Sequence, residues 1–98
     1  MIFSIDTDTR IINISPSVEK ILGYKPDEMI GKPIQDLNVL DPDSLEKAFA
    51  DMIKVLSGER IPLSRYEFIS KDGTRKFGEV SATPLIRDGK VVAMVSVA

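Results

Sequence analysis

Residues Ile21–Lys32, ILGYKPDEMIGK, lie between two apolar segments that both read as helical, and they hold two glycines and a proline. Val18, Ile21 and Leu22 repeat at helical spacing, and Gly23 is placed to end that helix. Pro26 opens a second helical turn with a preset φ, and Asp27 and Glu28 suit the positive end of its dipole. Gly31 closes the turn, and Pro33 forbids its continuation. The stretch reads as a compact helical elbow, with Tyr24 and Met29 anchoring it and the chain leaving toward Ile34.

Upstream, residues 1–6 and then Ile11, Ile12 and Ile14 read as two short strands joined by the polar turn Asp6–Arg10. Ser15 is expected to cap the helix that follows, with Pro16 at its first position. Downstream, DPDSLEKAFADMIKVLSG carries a helix capped by Asp41 or Asp43 and followed by Gly58. Leu45, Phe49, Met52, Ile53 and Leu56 form its expected apolar stripe. Leu63–Ser70, Arg75–Ile86 and Lys90–Ala98 then read as strands joined by two Asp-Gly turns, a strong hairpin signal. The order β-β-α-α-α-β-β-β predicts a single α+β domain over residues 1–98, an antiparallel sheet with its helices inserted between the second and third strands.

Composition removes many functions. The chain has no cysteine and no histidine, which excludes disulfides, Cys/His zinc sites, a Ser-His-Asp triad and histidine-ligated haem. A net charge of −2 with scattered basic residues gives no reason to expect a nucleic-acid partner. The longest apolar run, Val91 to Val95, is far short of the ~20 residues of a membrane span, so no membrane insertion is expected. These features fit a cytoplasmic domain.

The element order, the G-Y-x-x-x-E-x-x-G spacing of Gly23, Tyr24, Glu28 and Gly31, and the two Asp-Gly hairpins together resemble the PAS domain, a sensory and interaction module. The resemblance covers essentially the whole chain and implies a five-stranded antiparallel sheet cupping its helices. It departs from the family at Ser15-Pro16-Ser17, where members typically read N-x-A. Members bind haem, flavins, small acids or nothing, and mostly regulate an attached kinase, cyclase or DNA-binding domain. Flavin-binding members carry N-C-R-F-L-Q where this chain has Pro33, Ile34, Gln35, Asp36, Leu37 and Asn38. Ile34 therefore replaces the photoreactive cysteine. Further flavin-binding amides would fall at Phe68, Gly78 and Ala98, which have none. No cofactor is expected.

What remains is a pocket between sheet and helices, packed shut or holding a small molecule. Strand alternation puts Ser64, Tyr66 and Phe68 on one face, with Gly78, Val80 and Ala82, and Met94, Ser96 and Ala98, beside them. From the helical side Leu22, Ile34, Leu37, Phe49, Met52 and Ile53 would face them. The small residues leave room, whereas Phe68 and Met94 could fill it. On the other face of the last strand, Val91, Ala93, Val95 and Val97 are all apolar where alternation predicts polar residues. Phe3 and Ile5 are expected to join them in a surface covered by a second copy or an adjoining helix. The reading is a non-catalytic sensory and dimerisation module, expected to be part of a longer signalling protein with an output domain such as a histidine kinase. Two alternatives stand beside it: a ligand-free interaction scaffold, and an acid/base enzyme pairing Tyr66 with Asp6, Asp36 or Glu79.

Overall fold

The computed structural model describes residues 1–98. Its elements are β1 (Ile2–Asp6), β2 (Ile11–Ile14), α1 (Val18–Leu22), α2 (Pro26–Met29), a 3-10 turn at Ile34–Asp36, α3 (Pro42–Leu56), β3 (Ile61–Ile69), β4 (Arg75–Arg87) and β5 (Lys90–Val97). One antiparallel sheet runs β2-β1-β5-β4-β3, so the two ends of the chain meet at its centre, with Phe3 opposite Ser96 and Ile5 opposite Met94. The helical segment covers one face of this sheet and encloses the apolar core.

Local chemistry sets most boundaries. Gly23 adopts φ 81°, and its N–H donates to the Glu19 carbonyl, ending α1 in the left-handed conformation that glycine tolerates best. Asp41 caps α3 by accepting from the Asp43 N–H, with Pro42 at the first position. Asp88 and Gly89 both have positive φ between the paired Arg87 and Lys90, the two-residue turn that an Asp-Gly signal specifies. Ser15 departs from expectation. Its Oγ accepts from the Ile2 N–H at 3.0 Å, so it fixes the start of β1 rather than capping α1.

Part of each sheet edge is covered. On the β2 edge the Gly31 N–H donates to the Ile11 carbonyl at 2.7 Å, and the Ile11 N–H donates to Lys32. Arg10 adds a bond from its guanidinium to the Gly31 carbonyl. On the β3 edge the Asp41 N–H donates to the Glu67 carbonyl and the Ile69 N–H to Val39, while the Ser44 hydroxyl accepts from the Glu67 N–H. Where they are occupied in this way, the edges offer no template for strand addition.

α3 is rotated from the face expected of it. Ala48, Met52 and Val55 are buried, at i, i+4 and i+7, and Leu45, Phe49 and Leu56 flank them. Ile53 is 68% exposed, which removes it from the proposed pocket. It follows Met52 by about 100° around the helix, and that step carries it off the buried stripe. Large residues alone do not mark the stripe, because the small Ala48 and Val55 lie at its centre.

Candidate functional site

The inner face of the sheet and the helices enclose a cavity of about 70 Å³. Leu22, Ile34 and Met52 line it from the helical side, and Tyr66, Phe68, Val80, Met94 and Ser96 from the sheet. The other proposed pocket residues lie elsewhere. Leu37 is buried in the core without reaching the cavity wall, and Phe49 packs against the core at its margin. Gly78 stands behind Phe68: a Cβ there would come within 2.9 Å of the Phe68 ring. The room that this glycine seemed to leave is occupied by that ring. The Tyr66 and Phe68 rings meet edge to face at 6.3 Å, which fixes one side of the cavity.

β1 turns the opposite way from expectation. Phe3 and Ile5 pair with Ser96 and Met94, so both point inward and line the cavity. The outward residues of β1 are instead Ile2, Ser4 and Asp6, opposite Val97, Val95 and Ala93. Which face a β1 residue takes depends on pairing with β5 at the far end of the chain, and local alternation carries no information about it.

The cavity wall has one charged residue, Asp51 of α3. The Ser64 hydroxyl donates to its Oδ2 at 2.8 Å, and the Tyr66 hydroxyl donates to the same oxygen. Burial, followed by the bond to Asp51, pushes the Tyr66 phenol well above its usual range. The phenol therefore stays a donor at neutral pH. The expected partners of Tyr66 are elsewhere: Asp6 accepts from the backbone of Asp8 and Arg10, and Glu79 lies opposite Arg65 on the outer face. Asp51 was not anticipated. Two buried hydroxyls on one strand face require an acceptor, and α3 is the element packed over them, so the signal was present in Ser64 and Tyr66.

A second, open depression between α1 and the β3–β4 hairpin is polar, with Lys20, Lys71 and Lys76 offset by Glu19 and Asp72. Lys71 is held by Glu28 at 2.6 Å, and the Lys76 ammonium donates to the Ile21 carbonyl. These contacts clamp the helical elbow to the hairpin. Lys71 at 2.6 Å and the Lys25 N–H both hold the Glu28 carboxyl below its ordinary range.

The architecture is a five-stranded antiparallel sheet folded over inserted helices, with a small apolar cavity between them. A sequence profile described as the PAS domain matches residues 1–98, and the chain belongs to that family, whose members are generally sensory, non-catalytic modules. It is 37% identical over 70 residues to the White collar 2 protein of Neurospora crassa; the match covers 70% of this chain and 13% of that protein. The chain thus spans a small part of this relative's length. The PAS-B domain of Drosophila melanogaster Cycle superposes with a TM-score of 0.84 at 12% identity, covering 98% of this chain and 94% of that one. The LOV domain of a blue-light activated histidine kinase from Erythrobacter litoralis superposes at 0.76 with 19% identity, covering 97% and 89%.

Light-sensing neighbours raise the question of a flavin. The residues present do not fit one. A cavity of ~150 Å³ is needed for benzene alone, about twice the volume found here. The wall offers no amide side chain, and Ile34 lines it where an adduct-forming cysteine would stand.

Proposed function

We propose that this PAS domain is a sensory and dimerisation module of a longer signalling protein, acting in the cytoplasm and biasing an attached output domain such as a histidine kinase. The observation that carries the reading is the double role of β5. Met94 and Ser96 line the cavity, while Ala93, Val95 and Val97 point to the opposite face; Val91, expected with them, pairs with Ile86 beyond a bulge next to Leu85 and leaves that face. There Ile2 and Leu85, opposite Val97 and Ala93, extend an apolar patch that Asp6, also opposite Ala93, borders on one side. With much of both sheet edges occupied, a second copy has this face to bind, and an apolar patch is complementary to itself.

A small molecule in the cavity touches the same strand that the second copy touches. Occupancy and dimer geometry are then linked, because a ligand that binds one arrangement better shifts the population toward it. The Erythrobacter litoralis neighbour, from a histidine kinase, supports this kind of output by analogy of fold. The enzyme alternative is disfavoured. A phenol held far above its usual range is poorly matched to proton transfer near neutral pH. Native mass spectrometry of the protein purified from its own host tests the proposal. A retained small molecule together with a dimer is the expected result; the absence of both reduces the domain to a scaffold.

A further inference from the structure

The polarity of the cavity wall is concentrated at one carboxylate. Oδ2 of Asp51 accepts two hydroxyl hydrogens, from Ser64 and Tyr66. Oδ1 accepts none from the chain, yet it is not among the buried atoms left without a partner, so it remains accessible. No cation neutralises this carboxylate within 4.0 Å. Lys47, one turn earlier on α3, is engaged elsewhere: its ammonium donates to the Arg65 carbonyl at 3.0 Å and lies over the Tyr66 ring. If Asp51 served only to order Tyr66, one saturated oxygen would suffice. The arrangement instead holds the carboxylate by one oxygen and leaves the other unpaired on a residue that lines an apolar space.

We propose that Asp51 sets the specificity of the cavity, selecting a molecule of about three or four non-hydrogen atoms with an apolar body and a terminal hydrogen-bond donor. The size follows from the volume, about half that which holds benzene's six carbons. The apolar body follows from the wall, which apart from Asp51 is almost wholly aliphatic and aromatic. A hydroxyl or ammonium end would donate to Oδ1. A carboxylate end would face a like charge without a neutralising cation and is rejected. The proposal rests on the reading that the cavity takes a small molecule.

The test is a titration of the isotope-labelled domain, followed by NMR at the Met52 and Met94 methyls, with four probes of matched length. These are propan-1-ol, propan-1-amine, methoxyethane and propanoate. Propan-1-ol and methoxyethane have the same atoms and differ in the donor. The expected order places propan-1-ol and the amine about tenfold tighter than methoxyethane, as a hydrogen bond to a charged group provides, with propanoate silent. In Asp51→Asn the gap between propan-1-ol and methoxyethane closes. Equal binding of these two to the wild-type domain overturns the role of Asp51 while leaving a ligand cavity in place. Silence from all four probes removes the cavity reading and this proposal with it.

Discussion

At the scale of single residues, Tyr66 is held from several sides at once. It is buried, stacked edge to face on Phe68, and bonded through its hydroxyl to Asp51. Replacing it with phenylalanine keeps the ring packing and removes the donor, leaving Asp51 Oδ2 with Ser64 alone. Tyr66→Phe is expected to lose about 1–2 kcal/mol in urea denaturation; unchanged stability would show that the bond contributes nothing. The inward face of β3 was legible from alternation, and with it Ser64, Tyr66 and Phe68. Asp51 was not, because a polar residue beside an apolar stripe on a helix ordinarily reads as solvated.

Among the elements, α3 and the helical elbow show where sequence reasoning holds and where it gives out. Caps and breakers act over a few residues, so Gly23, Pro26, Gly31 and Asp41 set their boundaries as read. The phase of α3 against the sheet is a tertiary property, settled by which residues fit the cavity and core. Val55→Ala, at a fully buried site, is expected to cost about 1–3 kcal/mol, whereas Ile53→Ala, on the exposed face, stays within about 0.5. Equal losses in thermal or urea unfolding would contradict the observed rotation. The clamps between elements carry a pH signature. Glu28 is held low by Lys71, and Asp41 by Arg75, so their contribution is present above the unfolded carboxylate range and is lost as pH falls through the folded values. Lys71, raised by Glu28, contributes below its unfolded value and loses that contribution in strong alkali. Stability is expected to hold through neutral pH and to fall below about pH 4, with Glu28→Gln flattening the acid limb. An identical acid limb in that variant would remove the clamp from the account.

Across the whole molecule, the cavity is small enough to survive unfilled. At about 24 cal/mol per Å³ its volume costs roughly 2 kcal/mol, a modest share of the ~5–15 kcal/mol of an ordinary domain. A ligand of the kind proposed can therefore bind and leave without unfolding the domain. The antiparallel sheet and its inserted helices were legible because two Asp-Gly turns and a run of helix punctuation are local signals. The facing of Phe3 and Ile5 was not, since β1 takes its register from β5, the last strand of the chain. That correction moves the outer patch onto Ile2 and Leu85 beside the valines of β5, and the central claim is that this face joins two copies. Sedimentation equilibrium from micromolar to millimolar protein tests it most directly, comparing the wild-type domain with Val95→Lys. The account predicts a dimer that grows with concentration and is abolished in the variant, whose melting curve remains cooperative. A wild-type monomer throughout, or a dimer that the lysine leaves intact, would contradict it.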